Sequence, residues 1–140
     1  MMLPVEGYEI LEHTADLGIR AWGPSIEKSF EQAAWGLIDV IGIRAEGQAG
    51  KRTIRATGSD APALLVDFLN ELVFLYETEG LGVSAIKVTR LSDTELEAEL
   101  SVLPLPGQPE GVGVKAATYH RLAVERRADG GAEVRVYVDV

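Results

Sequence analysis

The most informative absence in this sequence is cysteine. The chain of 140 residues contains none, so disulfides, thiolate metal sites and cysteine nucleophiles are all excluded. Histidine is scarce as well, with two copies, and no apolar run is long enough to cross a bilayer. The first seven residues lack the basic patch and apolar core of a secretory leader. We therefore expect a cytoplasmic protein with no membrane association.

Positive charge is also in short supply. Thirteen lysines and arginines stand against 22 aspartates and glutamates, which gives a formal net charge of −9. Binding to a phosphate backbone depends on basic side chains that neutralise phosphates, so strong direct nucleic-acid binding is not expected. Cations and basic protein surfaces are the better partners. The alternative, that acidity only keeps the protein soluble, explains the charge equally well.

Two amphipathic helices are predicted from the hydrophobic periodicity. The first is capped by Ser25 and ends at Gly42, and the second is capped by Ser59 or Asp60 and ends at Gly80. The second helix carries the broader apolar face, which predicts that it is the more buried of the two.

The remaining segments alternate between apolar and polar residues as strands do. Strands are predicted at 8–22 with a turn at 13–16, at 52–57, at 83–100 as a hairpin that turns at Ser92 and Asp93, and at 114–119, 122–127 and 133–140, with the last hairpin turning at 128–131. The segment Pro104–Gly113 is rich in proline and glycine, which favours an irregular surface loop. Strands that are segregated from helices indicate an α+β fold, with two amphipathic helices packed on a mainly antiparallel sheet in a single domain over 1–140.

Aromatic side chains are assigned mainly to the core. Phe68, Phe74 and Tyr76 lie on the second predicted helix without interleaved basic residues, so core packing explains them better than base stacking. Trp22 and Trp35 are each compatible with the core or with a surface that faces a partner.

Oxygen donors gather at two points of the chain. Asp16 lies where a turn meets a strand, and the last strand ends in Asp139 and Val140, which offer a side-chain and a main-chain carboxylate. A hard cation such as calcium or magnesium prefers such ligands, and Asp16 completes the set if the strands bring it across. The alternative is a solvated chain end and an aspartate that makes a turn hydrogen bond.

Both histidines lie in polar clusters, one at Glu12–Asp16 and the other at Lys115–His120. In an enzyme, histidine beside a carboxylate acts as a general acid and base, and Lys115 could stabilise an anion. A hydrolase or transferase that uses His13, Asp16 and His120 is therefore one hypothesis. A histidine that is merely hydrogen-bonded at a strand end is the other.

Three segments together resemble the archease family. They are residues 8–18 with the sequence His-Thr-Ala-Asp at 13–16, the Lys-Ala-Ala-Thr-Tyr-His segment at 115–120, and the final Asp139-Val140 pair. The likeness covers nearly the whole chain, including both predicted helices. The combination is specific, although none of the three segments would be specific alone.

The resemblance implies a non-enzymatic cofactor of an RtcB-type RNA ligase, which joins RNA ends in tRNA splicing and RNA repair after activating itself with GTP and manganese. It also implies that Asp16, Asp139 and Val140 coordinate a divalent cation. Calcium is the cation most expected in crystals, and magnesium or manganese are alternatives. Further candidates for contact with the ligase or support of the cation ligands are Glu12, His13, Lys115, Tyr119 and His120.

One segment departs from the family. Relatives often carry additional charged residues before the Lys115 segment, whereas the one charged residue of Pro104–Gly113 is Glu110. Contacts with a partner that the family makes there are therefore not transferred to this loop.

Two other functions stay open beside ligase activation: a general chaperone or RNA-modification scaffold, and the hydrolase described above. The oligomeric state is left open.

Overall fold

A computed structural model describes residues 4–12 and 16–140 of the chain. The helices are α1 (Ile26–Ile41) and α2 (Ala61–Glu79). The strands are β1 (Gly7–Glu12), β2 (Asp16–Gly23), β3 (Gly50–Thr57), β4 (Leu81–Leu91), β5 (Glu95–Pro104), β6 (Ala116–Arg126) and β7 (Ala132–Asp139).

The strands form two sheets, whereas one was predicted. The first sheet has the order β1-β2-β7-β6 and the second has the order β3-β5-β4, and the named strands pair antiparallel throughout. Each helix contacts strands of both sheets, so the hydrophobic core lies where helices and sheets meet. The predicted α+β class is confirmed.

The helices begin and end where the sequence predicts. Ser25 caps α1 and Asp60, rather than Ser59, caps α2, because each side chain accepts the N–H three residues further on, at 3.2 Å and 2.9 Å. Gly42 and Gly80 end the helices with φ of 85° and 64°, a left-handed conformation that glycine adopts without a steric cost. Within the described residues, no helix combines the length and hydropathy needed to span a membrane.

The prediction that the second helix is the more buried one is wrong. Ten of the sixteen residues of α1 are buried, against seven of the nineteen residues of α2. Glycine at position 36 lets α1 approach the first sheet closely, since a Cβ there would lie 2.8 Å from Ile19.

The prediction that Phe74 packs in the core is also wrong, because its side chain is 62% exposed. It lies two residues after buried Leu72, and therefore about 200° around the helix from it.

Strand β4 departs from simple alternation. The β4–β5 register shifts between Val83 and Ala85 and again between Val88 and Arg90. Each bulge inserts an extra residue and changes which face the following side chains occupy. As a result Val83 and Val88 are both buried while Ala85 is exposed, so strict alternation does not hold along this strand.

The two tryptophans have different environments. Trp22 is buried, with 7% exposure. Trp35 is half-buried beneath the Arg44 guanidinium, which lies 4.0 Å from the centroid of the indole ring.

Arg44 also donates two hydrogen bonds to Asp39, at 2.7 Å and 2.8 Å. These bonds hold the pKa of the Asp39 carboxyl below its ordinary value. Tyr8 donates to the same carboxylate, so this group joins β1 to the end of α1.

A buried carboxylate on α1 supports the bulge in β4. Glu31 is 6% exposed, and its Oε2 accepts the backbone N–H of Val88 at 3.0 Å. Its other oxygen lies 3.3 Å from Nζ of Lys28. The carboxylate therefore satisfies a buried main-chain donor next to the register shift.

Replacing Glu31 with alanine is expected to lower the free energy of unfolding by about 1–3 kcal/mol, since the Val88 N–H would lose its acceptor. Urea denaturation measures the change. Glu31→Gln retains an oxygen acceptor and should lose less, and Glu77→Ala at an exposed position of α2 should stay within about 0.5 kcal/mol of the wild type. Equal losses for Glu31→Ala and Glu77→Ala would contradict a structural role for the Glu31 carboxylate.

Candidate metal centre

The pairing of β2 with β7 builds the candidate metal centre. In this antiparallel register Asp16 lies opposite Asp139. Val136 and Val138 of β7 are fully buried, and alternate residues of a strand point to opposite faces. Asp139 is therefore on the outer face of the first sheet, away from the helices, and its partner Asp16 is on the same face.

Two carboxylates that face each other across a strand pair repel one another. Directly opposite Cβ atoms are about 4.5–5.5 Å apart, and like charges in such a pair destabilise a sheet. Asp16 is partly buried and Asp139 is exposed, so the pair is only partly screened by water. A cation between the two carboxylates would convert this repulsion into attraction.

The donor set fits a hard divalent cation. Carboxylate oxygens are the ligands that calcium, magnesium and manganese prefer. In the part of the chain that the structure describes, no group of three or more His, Cys, Asp or Glu side chains is arranged to hold a metal ion. The third ligand that the sequence predicts, Val140, directly follows Asp139 in the chain.

An aromatic pair, Tyr137 and His120, packs beside the carboxylate pair. Tyr137 lies opposite Gly18, and a Cβ on Gly18 would come within 2.8 Å of the Tyr137 ring. The missing side chain lets the ring lie across β2, where it is 6% exposed. The His120 ring packs edge-on against it, with centroids 6.1 Å apart. Sequence reasoning missed Gly18 and Tyr137, although the two-residue period places Tyr137 on the face of Asp139.

The segment that starts at Lys115 is fixed to the same place. The Lys115 N–H donates to the Asp139 carbonyl at 2.8 Å, and the Thr118 hydroxyl donates to the Tyr137 carbonyl at 3.1 Å. From the other side, the Asn70 side chain of α2 accepts the Ala117 N–H at 2.8 Å. These bonds place the exposed Lys115 beside the carboxylate pair.

Strand β6 contains an irregularity where two separate strands were predicted. Thr118 pairs with Tyr137 and Ala123 with Arg135, so the four residues 119–122 lie opposite one residue of β7. We call this segment the β6 bulge. Arg121 within it has a φ of 53°, and Tyr119 is 66% exposed. The bulge thus presents polar and aromatic side chains beside the candidate site.

Glu12 and His13 are the two predicted site residues that remain, and the structure describes only the first of them. Glu12 ends β1, is exposed, and pairs with Leu17, the residue after Asp16. His13 lies outside the described residues, so its predicted role stays a prediction. The structure brings Asp16, Asp139 and the Lys115 backbone together, and it connects His120 to them through Tyr137.

Comparison with known proteins identifies the family. The model of the Archease protein family (MTH1598/TM1083) matches residues 8–140, which is nearly the whole chain and includes both strands of the carboxylate pair. The chain belongs to the archease family.

Individual relatives agree with the archease assignment. The chain is 34% identical over 148 residues to the archease of Methanosarcina mazei, covering 99% of this chain and 100% of the relative. It is 37% identical over 130 residues to the archease of Thermococcus gammatolerans, covering 88% and 91%.

Two solved structures share the archease fold. Protein 1598 of Methanobacterium thermoautotrophicum superposes with a TM-score of 0.78 at 29% identity, covering 96% of this chain and 99% of that one. An archease of Thermotoga maritima, described as a possible chaperone, gives a TM-score of 0.65 at 26% identity, covering 100% and 98%.

Asp139→Asn is expected to stabilise the protein in the presence of a chelator, because it removes one of two facing negative charges without changing the size of the side chain. The expected gain in the free energy of unfolding is about 0.2–1 kcal/mol, measured by urea denaturation in EDTA. Asp93→Asn is the control, since the Asp93 side chain is 93% exposed in the β4–β5 turn. If Asp139→Asn destabilises the chelated protein, repulsion does not dominate at this pair.

Proposed function

We propose that this protein is a non-catalytic activator of an RtcB-type RNA ligase, and that it binds a divalent cation through Asp16, Asp139 and the Val140 carboxylate. The observation that carries the proposal is the cross-strand pairing of Asp16 with Asp139. Membership of the archease family supports it, as does the match of residues 13–16 and 115–120 to the segments that the resemblance assigns to this role.

The cation would act first on the protein itself. Its positive charge would balance the two aspartates and hold the start of β2 against the end of β7, where Lys115 is also attached. The ordered strand ends, with the β6 bulge beside them, would then form part of the surface that docks on the ligase. A chain with a net charge of −9 is suited to a basic protein surface.

Docking would raise ligase turnover by favouring one state of the ligase. A partner can shift a conformational equilibrium only through its different affinities for the two states. Tight binding to the ligase conformation that accepts GMP would therefore promote GTP-dependent guanylylation and repeated turnover in tRNA splicing or RNA repair. Delivery of the catalytic metal to the ligase is the second route by which the same cation site could act.

The experiment is multiple-turnover RNA ligation by the organism's own ligase with GTP and manganese, with and without this protein. The wild type should increase turnover, whereas Asp16→Asn and Asp139→Asn should reduce the stimulation to the level seen without the protein. Asp93→Asn should stimulate like the wild type. If the wild type leaves turnover unchanged, the proposal is wrong.

Two further measurements distinguish docking on the ligase from metal delivery and from hydrolase activity. Metal delivery predicts that Asp16→Asn binds the ligase normally and fails to stimulate it, whereas a docking role predicts that stimulation falls with affinity. Turnover of RNA or of a phosphoester by this protein alone would instead favour the hydrolase hypothesis with His13, Asp16 and His120.

A general chaperone is the second candidate function. One structural relative is described as a possible chaperone, and Phe74 offers an exposed apolar side chain between Glu71 and Glu77 on α2. An apolar group on an acidic surface would suit unfolded basic clients. Suppression of the aggregation of unrelated proteins, lost in Phe74→Ser and without any effect on ligation, would favour this function.

A further inference from the structure

Two arginines face each other on the outer face of the first sheet, and two more lie near them. Arg20 of β2 lies directly opposite Arg135 of β7, four residues along β7 from Asp139. The β6 bulge adds Arg121, and Arg127 follows the end of β6. Like charges directly opposite each other destabilise a sheet unless something compensates them, so the ion pairs of each arginine decide how much positive charge remains.

Acidic neighbours compensate only part of this charge. Oε1 of Glu133 accepts from Arg20 at 2.7 Å and from Arg127 at 3.2 Å, and Glu9 accepts from Arg20 at 3.1 Å. Across residues 4–12 and 16–140, the salt bridges include neither Arg121 nor Arg135. Two guanidinium groups are therefore left without an acidic partner there.

These two guanidinium groups share one cleft. Arg121 and Arg135 line a polar cleft of about 270 Å³ together with Glu125 and Glu133, with Ala123 and Val134 beneath them. The Glu133 carboxylate already serves Arg20 and Arg127. Glu125 is thus the one lining carboxylate not engaged in a salt bridge. The lining itself carries two arginines and two glutamates, and Arg20 and Arg127, which share Glu133, add positive charge beside it.

One residue that lines the cleft has a strained backbone conformation. Arg121 has a φ of 53°, in the left-handed region that a residue with a Cβ occupies at a cost of about 1–2 kcal/mol. Such strain is found where a structure holds a side chain in a particular position for function. A bulge also changes the direction of its side chains, and here it brings Arg121 to the cleft and leaves Tyr119 66% exposed.

We propose that the cleft between Arg121 and Arg135 binds a phosphoryl group, as carried by a nucleotide. Guanidinium groups form bidentate, charge-assisted hydrogen bonds to phosphate. The site extends the function beyond the cation centre and does not require the cation. A free nucleotide and the phosphorylated end of an RNA supply the same chemical group.

Binding is tested by NMR titration of the ¹⁵N-labelled protein in EDTA. AMP, GMP and inorganic phosphate should each produce saturable shifts of the amides of Arg121, Ala123 and Arg135, whereas adenosine and acetate should not. A 5′-phosphorylated trinucleotide that binds more tightly than AMP would assign the site to RNA ends, and weaker binding would assign it to free nucleotides. Either result supports phosphoryl recognition.

Substitutions in the cleft test which side chains contribute to the affinity for AMP. Arg121→Gly and Arg135→Ala should each weaken AMP binding about tenfold through the loss of charge-assisted hydrogen bonds. Glycine is chosen at position 121 because it adopts positive φ freely, so the fold is retained. Glu125→Gln should tighten binding because it removes a negative charge from the cleft lining. Arg90→Ala is the control, since Arg90 is an exposed arginine of the second sheet.

Several results would overturn the site. These are the absence of saturable shifts at Arg121 and Arg135 up to millimolar AMP, equal binding of adenosine and AMP, competition by acetate as strong as by phosphate, and equal losses in Arg90→Ala and Arg121→Gly. Because a chelator is present throughout, these outcomes are independent of whether Asp16 and Asp139 bind a cation.

Discussion

The pairing of β2 with β7 is the interaction on which the rest of the molecule depends. The core fixes its register, because Ile19 of β2 and Val136 of β7 are paired and fully buried. A slip by one residue would turn these side chains to solvent and bring polar residues inside. The same register sets Asp16 against Asp139 at the ends of the two strands. Burial of apolar residues on one face therefore holds together two carboxylates that repel each other on the opposite face.

The outer face of the first sheet carries three neighbouring features in sequence along β7. The carboxylate pair lies at one end, followed by Tyr137 with the His120 ring against it, and then by Arg135 in the polar cleft. The β6 bulge contributes to the second and third features, since it holds both His120 and Arg121. One irregular segment at the sheet edge thus lies between the proposed cation site and the proposed phosphoryl site.

Local sequence signals predict the elements of this protein well, and contacts distant in sequence are where they fail. Ser25, Asp60, Gly42 and Gly80 mark the helix ends correctly because capping depends on residues a few positions apart. Separation into two sheets and the bulges of β4 depend on which element packs against which, and no local period encodes that. The contact between Glu31 and Val88, 57 residues apart, is of the same kind. For the carboxylate pair, the sequence predicts the ligand types, and the meeting of Asp16 with Asp139 depends on strand order.

Paramagnetic broadening of backbone amide signals by substoichiometric manganese tests the cation site most directly. Broadening falls steeply with distance from the ion, so it reports where the ion lies. With the ion held between these strand ends, the signals of Leu17, Val138 and Val140 should broaden first, those of Asp93 and Glu77 should persist, and Asp139→Asn should remove the effect. Broadening centred on another acidic surface, or unchanged in Asp139→Asn, would contradict a cation held between the ends of β2 and β7.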